Sequence, residues 1–192
     1  IEERQLGPDR LVIEVRSGRG GLLRRYVDRE IPVLGLEIDL DAARAAEAAG
    51  VPTQVGPFDA ALGARLATEG RRADVVHARD VLGIEVDPGD FVRGVTHLLE
   101  PSGLAVLEIP KLFGERGPEL PAPPRPAYFS LTALDALLSR HELTARHVEQ
   151  AGTHGDLLRV FADRRKNPFR SEALRAELES EAAAGVLKPS TY

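Results

Sequence analysis

The sequence contains no cysteine, no methionine and no tryptophan. Without cysteine, the 192 residues cannot form a disulfide, a thiolate zinc site or a cysteine nucleophile. Apolar runs approaching the roughly 20 residues of a membrane-spanning helix are missing, and nothing resembles a signal peptide, so we expect a cytoplasmic protein without a membrane partner. Because the chain begins at Ile1 and has no initiator methionine, we also expect a processed or excised piece of a longer polypeptide.

Charge of one sign is not concentrated in any run. The chain has 25 basic and 30 acidic residues, a net charge of -5 and a pI near 5.6. A nucleic-acid-binding surface needs clustered lysine and arginine, so we expect no nucleic-acid partner. The motif H-E-x-x-H and the carboxylate loop of calcium sites are absent from the sequence, so we predict no metal site.

Short apolar runs alternate with helical patterns through most of the chain, which is typical of βαβ units. With 43% hydrophobic residues, one domain with one sizeable core is the simplest organisation. We predict strands at residues 11–15, 33–37, 53–55, 73–78, 104–109, 143–150 and 157–163. The pattern predicts a Rossmann-like α/β fold, in which a seven-stranded, mostly parallel sheet has an antiparallel edge strand and helices on both faces.

Helical patterns lie between and after these strands. We predict helices at residues 21–29, within 39–50, and at 60–69, 88–99 and 130–141, with Asp39 or Asp41 and Ser130 as N-caps. Residues 110–127 hold six prolines and two glycines, which favours a long binding loop. Residues 170–185 predict an amphipathic helix. We therefore divide the chain into a core, residues 1–166, and a charged helical tail or linker, residues 167–192, that leads to a missing C-terminal region.

A glycine-rich turn follows the first strand in LVIEVRSGRGGLL, residues 11–23. In open α/β sheets ligands bind at the carboxyl ends of the strands, where such a turn lets main-chain amides approach a nucleotide. Gly18, Gly20 and Gly21 fit this role. A dinucleotide fingerprint G-x-G-x-x-G counted from Gly18 would need its third glycine at Leu23, so the pattern does not favour NAD(P).

Two acidic residues accompany the turn. Glu37 ends the second strand 19 residues after Gly18, where its carboxylate can accept hydrogen bonds from both ribose hydroxyls of an adenosine. The alternative is a solvated acid at a strand end. Glu14 lies inside the first strand, where burial without a partner would cost several kcal/mol. We therefore expect a nearby group to pair with Glu14.

Further motifs follow the turn in a fixed order: VLGLE, ADVVHARDVL, LLEPSGLAVLEIPKL, AYFSLTAL and THGDLLRVF, with EAAAGVLKPSTY in the tail. Together with EVRSGRGGLL they resemble the class I S-adenosylmethionine-dependent methyltransferases. The resemblance is strongest to the C-methyltransferases that act on nucleotide-linked deoxysugars in antibiotic biosynthesis, whose first turn usually has the form E-x-G-S-N-D-G-x-L-L. It implies the strand order 3-2-1-4-5-7-6, S-adenosylmethionine as the cofactor, and a nucleotide-linked keto-deoxysugar or related small metabolite as the substrate.

The resemblance also implies which residues form the site. The main chain of Gly18 and Gly20 would face the amino-acid end of the cofactor, Glu37 would bind its ribose, and Asp80 would lie near the methionine or the ribose. Phe58 or Asp59 would contact the adenine. The implied cofactor-binding set is Glu14, Gly18, Gly20, Glu37, Phe58 and Asp80, and the implied substrate-binding residues are Tyr128 and His154.

One residue of the turn departs from the family pattern. Arg16 replaces the first glycine and puts a cationic side chain where the methionine moiety and sulfonium of the cofactor would lie. Two positive charges about 4 Å apart, at an effective dielectric near 20, repel by about 4 kcal/mol, which corresponds to about a thousandfold in affinity. The alternative is that Arg16 turns away to pair with Glu14 or with the carboxylate of the cofactor.

The acid–base motif of the family, Y-H-E-H, is also missing. Its positions correspond to Ala122, Pro123, Pro124 and Arg125, none of which can accept a proton from the carbon beside a keto group. His154 is the remaining catalytic candidate, and we expect the other histidines to be structural or solvated.

Two functions therefore stay open. The first is an S-adenosylmethionine-dependent C-methyltransferase with an altered substrate and mechanism, acting on a small molecule. The second is an inactive pseudo-methyltransferase that serves as a structural or protein-interaction domain and binds a partner protein domain.

Overall fold

Alternating strands and helices build the part of the chain that the computed structural model describes, which is residues 6–114, 117–118, 126–152, 157–165 and 169–185. The main strands are β1 Val12–Val15, β2 Val33–Glu37, β3 Thr53–Val55, β4 Ala73–Arg79, β5 Leu99–Pro110, β6 Thr144–Ala151 and β7 Leu157–Asp163. The α-helices are α1 Gly21–Val27, α2 Leu40–Ala48, α3 Ala60–Thr68, α4 Pro88–Leu98, α5 Leu131–Arg140 and α6 Glu172–Ala183. None of these described helices is both long and apolar enough to cross a membrane.

The seven main strands form one sheet in the order β3-β2-β1-β4-β5-β7-β6. Neighbouring strands from β1 to β5 are parallel, whereas β7 runs antiparallel to both β5 and the edge strand β6. The predicted fold class and strand order are therefore confirmed, with the antiparallel strand one position in from the edge. Within the segment predicted as a loop, Phe113–Gly114 and Gly117–Pro118 form a short antiparallel pair.

The central strands are buried because helices cover both faces of the sheet. β1 and β2 are buried over their whole lengths, and their side chains alternate between two hydrophobic clusters. Ile13 and Leu36 join the cluster that includes α3, α4 and α5, whereas Val12 and Val33 join the cluster that includes α1 and α2. This packing fixes the carboxyl ends of β1, β2 and β4 beside one another at one edge of the sheet.

Side-chain caps determine where several helices begin. The capping residues each accept a hydrogen bond from a main-chain N–H of the first turn, and they are Asp39, Asp59, Asp87, Ser130 and Ser171. The predicted cap Ser130 is confirmed, and Asp39 rather than Asp41 caps α2.

The last helix, α6, packs against β6 and α5. Glu181 of α6 is 2% exposed, and its carboxylate accepts hydrogen bonds from the N–H groups of Leu131 at 2.6 Å and Thr132 at 2.8 Å. One turn earlier on α6, Glu177 pairs with Lys111 at 3.0 Å. Because Lys111 follows β5 and Leu131 begins α5, the same helix anchors both ends of the connection between them.

Candidate active site

Main-chain hydrogen bonds to β2 hold the turn between β1 and α1. The carbonyl of Leu36 accepts from the amide of Arg16 at 2.8 Å and from that of Ser17 at 3.3 Å. Arg16, Gly18 and Gly20 adopt φ angles of 59°, 55° and 76°. Glycine takes this left-handed conformation freely, whereas other residues incur about 1–2 kcal/mol. The backbone thus explains why the resembled family has glycine at the position of Arg16.

Glu37 joins the end of β2 to this turn. Its Oε2 accepts a hydrogen bond from the amide of Gly18 at 2.6 Å, and its Oε1 accepts from the amides of Ile38 at 2.8 Å and Asp39 at 3.0 Å. Glu37 is only 6% exposed, so the alternative of a solvated acid at a strand end is wrong. Its predicted contact with a ribose stays a prediction.

A cavity of about 460 Å³ opens beside the turn, at the carboxyl ends of β1 and β4. Small-molecule sites typically measure about 300–1,000 Å³. The lining residues are Glu14, Arg16, Ser17, Gly18, Gly21, Leu22, Arg25 and Arg79. A Cβ atom added at Gly18 would meet nothing within 4 Å, whereas one at Gly20 would lie 3.0 Å from Cγ2 of Val51. Gly18 therefore leaves space at the cavity, and Gly20 serves the close packing of the turn on its neighbours.

Glu14 lines the cavity and is 5% exposed. Its Oε2 has no hydrogen-bond partner among the described residues, so the expected partner is missing at this oxygen. Burial raises the pKa of Glu14 from 4.5 to about 7, although the positive charge of Arg79 opposes the shift. Ser17 Oγ, at the same cavity, is also buried without a partner in the described chain. Buried polar atoms without a hydrogen-bond partner are rare in folded proteins, and a role in binding or catalysis is one of the reasons for which they occur.

A buried tyrosine–histidine pair lies next to Glu14. His77 stands opposite Glu14 in the β1–β4 register, and its Nε2 is 2.9 Å from the hydroxyl of Tyr26. Burial lowers the pKa of His77 from 6.5 to about 4, so the ring is neutral at pH 7. These contacts agree with the structural role predicted for this histidine.

Arg16 pairs with Glu85 and not with Glu14. The guanidinium Nη2 of Arg16 lies 3.4 Å from Oε1 of Glu85, and the two side chains are 29% and 18% exposed. Glu85 directly follows the short 3-10 helix Leu82–Ile84 after β4. The alternative in which Arg16 pairs with Glu14 is therefore wrong, and no motif in the sequence indicated Glu85 as the partner.

A second, smaller cavity of about 10 Å³ lies at the ends of β4 and β5 and contains two of the predicted site residues, Asp80 and Tyr128, beside Glu108. Glu108 is 8% exposed and pairs with Arg79 at 3.1 Å and Arg159 at 2.7 Å. Because Arg79 also lines the larger cavity, one ion pair connects the two cavities. The roles of Asp80 and Tyr128 toward a ligand stay predictions.

The predicted adenine contacts serve the protein interior in this structure. The ring of Phe58 packs edge-on against Phe91 with centroids 5.3 Å apart, and the carboxylate of Asp59 caps α3 through the amide of Leu62 at 2.7 Å. Neither residue lines the larger cavity.

Two exposed apolar residues flank Glu37. Ile38 follows Glu37 and is 45% exposed. Val55, which is the partner of Glu37 in the β2–β3 register, is 47% exposed. The sequence analysis missed both residues. The available signal was an apolar residue directly after a strand-end acid, where a solvated turn would favour a polar one.

The catalytic candidate His154 lies outside the described residues, as do the residues that replace the family's acid–base motif, Ala122, Pro123, Pro124 and Arg125. The proposed role of His154 stays a prediction. In the described ranges, no group of three or more histidine, aspartate or glutamate side chains could hold a metal ion.

Comparison with known proteins adds to this geometry. No family model matches the chain. The CcbJ methyltransferase of Streptomyces caelestis superposes with a TM-score of 0.65 at 19% identity, covering 80% of this chain and 88% of that one. The glycopeptide N-methyltransferase MtfA complexed with S-adenosylmethionine gives a TM-score of 0.62 at 18% identity, covering 82% and 88%. The chain therefore has the fold of the class I S-adenosylmethionine-dependent methyltransferases.

At the level of sequence, the chain is 30% identical over 155 residues to the C-methyltransferase NovU of Streptomyces niveus. The alignment covers 79% of this chain but 37% of NovU, so the chain spans little more than a third of that relative. The predicted resemblance to the C-methyltransferases is confirmed.

Proposed function

We propose that this chain is the cofactor-binding core of an S-adenosylmethionine-dependent methyltransferase of the C-methyltransferase type. The observation that carries the proposal is the 2.6 Å hydrogen bond between Gly18 and Glu37. It brings a glycine turn and a buried strand-end carboxylate together at a cavity of about 460 Å³. The likeness to NovU over 79% of the chain supports the same activity.

The residues present fit such a cofactor. Oε2 of Glu37 has one main-chain donor, which leaves a lone pair for a ribose hydroxyl. Ile38 and Val55 offer exposed apolar surface beside Glu37, which suits an adenine ring. Gly18 leaves room for the amino-acid end of the cofactor. When bound, S-adenosylmethionine supplies an electrophilic methyl group on a sulfonium, and its departure leaves a neutral thioether.

The proposed substrate is a small molecule of the nucleotide-linked keto-deoxysugar class, in an antibiotic pathway. A carbon acceptor must lose a proton during the transfer, so a base is required within hydrogen-bond reach. Residues 122–125 supply none, because alanine, proline and arginine cannot accept a proton. We assign the substrate-binding role to Tyr128, and His154 is the proposed base.

A second candidate function is a catalytically inactive domain that keeps the fold for a structural or protein-interaction role. The replacement of the family's acid–base motif by Ala122, Pro123, Pro124 and Arg125 favours it. The two functions share the cofactor cavity and differ in turnover.

Calorimetric titration with S-adenosylmethionine and S-adenosylhomocysteine tests the shared part. We expect micromolar dissociation constants, and a large loss of affinity in the Glu37→Gln variant but not in the control Asp41→Asn, whose side chain is 93% exposed. Absence of binding to both ligands, in the native chain and in the Arg16→Gly variant alike, would overturn the proposal.

Turnover separates the two functions. The chain is incubated with S-adenosylmethionine and nucleotide-linked keto-deoxysugars, and the methylated product is measured by mass spectrometry. A mass gain of one methyl group, lost in His154→Ala, supports the enzyme. Cofactor binding without methylated product supports the inactive domain.

A further inference from the structure

An ion pair bridges two of the connections that surround the larger cavity. Arg16 belongs to the turn after β1, Glu85 belongs to the segment after β4, and their side chains meet at 3.4 Å. The backbone of Arg16 is itself fixed, because its amide donates to the carbonyl of Leu36 at 2.8 Å. Arg16 is therefore held at both ends, its amide by Leu36 and its guanidinium by Glu85.

Arg16 has two acidic residues near it, and its ion pair is with the one outside the cavity. Glu14 lines the same cavity as Arg16 and has a carboxylate oxygen without a hydrogen-bond partner in the described chain, yet Arg16 pairs with Glu85. Glu85 does not line the cavity. The ion pair thus places the positive charge of Arg16 against a residue outside the cavity and not against Glu14, the buried carboxylate that lines the cavity.

Of the other two arginines that line the cavity, one has an acidic partner in the described part of the chain. Arg79 lines the cavity and is matched by Glu108 at 3.1 Å. Arg25 also lines the cavity, is exposed on α1 and has no ion-pair partner among the described residues. Without Glu85, Arg16 would therefore be a second cation at this cavity, beside Arg25, that lacks an acidic partner.

We propose that Glu85 is a specificity-determining residue, which by matching the charge of Arg16 allows the cavity to accept a cationic sulfonium ligand. This inference rests on the proposed function and concerns its cofactor. Loss of Glu85 leaves Arg16 uncompensated beside the cavity. An uncompensated cation repels the positively charged S-adenosylmethionine and has little effect on the neutral thioether of S-adenosylhomocysteine.

The test is the ratio of the affinities for these two ligands, measured by calorimetry on one preparation of each protein. The ratio does not depend on the fraction of the preparation that is folded. The proteins are the native chain, Glu85→Gln, Arg16→Gly, the double variant Arg16→Gly/Glu85→Gln, and a control, Glu69→Gln. Glu69 forms only long ion pairs at 3.9 and 4.0 Å with surface arginines and does not line the cavity.

We expect Glu85→Gln to shift the ratio by about tenfold toward S-adenosylhomocysteine, which is about 1.4 kcal/mol. The control should leave the ratio unchanged, and the double variant should restore it because Arg16 is gone. An unchanged ratio in Glu85→Gln, or a shift that persists in the double variant, would overturn the inference. If the native chain binds neither ligand while Arg16→Gly binds both, Glu85 fails to compensate Arg16, although the proposed cavity stands. If every protein binds neither ligand, the proposed function fails, and this inference fails with it.

Discussion

The amide of Gly18 donates a hydrogen bond of 2.6 Å to Oε2 of Glu37, so the end of β2 holds the turn that follows β1. The same carboxylate accepts from Ile38 and Asp39. A change at Glu37 therefore alters the framework of the site as well as any direct contact with a ligand.

The Glu37→Gln variant should be destabilised by about 2 kcal/mol, because the amide NH₂ places a donor against main-chain N–H donors in a buried environment. Urea denaturation of the variant and of the control Asp41→Asn checks this expectation. A variant as stable as the control would show that the three main-chain hydrogen bonds do not require a carboxylate.

Two substitutions that both remove the ion pair of Arg16 should differ in stability, because the backbone of Arg16 is left-handed. Arg16→Gly should be more stable than Arg16→Ala by about 1 kcal/mol, because glycine adopts a φ of 59° without steric cost and alanine does not. Denaturant unfolding of the two variants gives the difference directly. Equal stability would mean that the turn changes its conformation once the arginine is removed.

Glu14 and His77 should affect the pH dependence of stability with opposite signs. Glu14 has a pKa of about 7 in the fold and 4.5 when unfolded, so the folded state binds more protons between these values. Its contribution is fully present below pH 4.5 and is lost as the pH rises through 7. His77 has a pKa of about 4 in the fold and 6.5 when unfolded, so its contribution is fully present above pH 6.5 and is lost as the pH falls through 4.

The two contributions oppose each other between pH 4.5 and 6.5, and single variants reveal them. Relative to the native chain, Glu14→Gln should gain stability as the pH rises from 4.5 to 7, by up to about 3 kcal/mol. Relative to the native chain, His77→Gln should lose stability as the pH rises from 4 to 6.5. Denaturation at several pH values, with the exposed Glu47→Gln as the control, measures both slopes. Slopes of the same sign would contradict the opposed shifts.

Glu181 should be important for stability although it lies 50 residues after its partner Leu131 in the sequence. The Glu181→Gln variant should lose about 2 kcal/mol of stability, because the carboxylate of Glu181 accepts from the amides of Leu131 and Thr132 and from the hydroxyl of Thr132. Glu179, an exposed residue of the same helix, provides the matched control, Glu179→Gln. Thermal unfolding of both variants compares them, and equal midpoints would argue against the buried anchor.

The fold could be predicted largely from periodicity and turn chemistry. β2 and β3 match their predicted bounds because apolar runs end at an acid or at a glycine turn, and Ser130 begins α5 as predicted. β5 extends from Leu99, five residues before its predicted start at residue 104, because pairing of Leu99 with Ala73 continues the ladder through a segment that contains proline and glycine. Sheet pairing depends on contacts distant in sequence, which local propensity does not encode.

The site was predictable where it depends on the order of motifs and not where it depends on three-dimensional pairing. Glu37 and Gly18 meet because the ends of adjacent parallel strands must be neighbours. The pairing of Arg16 with Glu85 joins residues 69 positions apart, and no local pattern connects them. The resemblance implies that Phe58 contacts adenine, which stays a prediction, and its phenyl ring packs against Phe91 in the core.

The attachment of α6 to Lys111 and to Leu131 has a consequence for how the intervening connection can change over evolutionary time. Once the two ends of a loop are fastened, doubling its length adds only about 0.6 kcal/mol of closure entropy. The anchoring contacts join α6 to Lys111 and to Leu131, so they do not depend on the residues between these two positions. A longer stretch between these two residues therefore adds little to the free-energy cost of folding. Positions 122–125, which differ from the acid–base motif of the resembled family, fall between these two anchored residues in the sequence. If the chain is a methyltransferase as proposed, its acceptor specificity can change there while the sheet and the cavity beside β1 are kept.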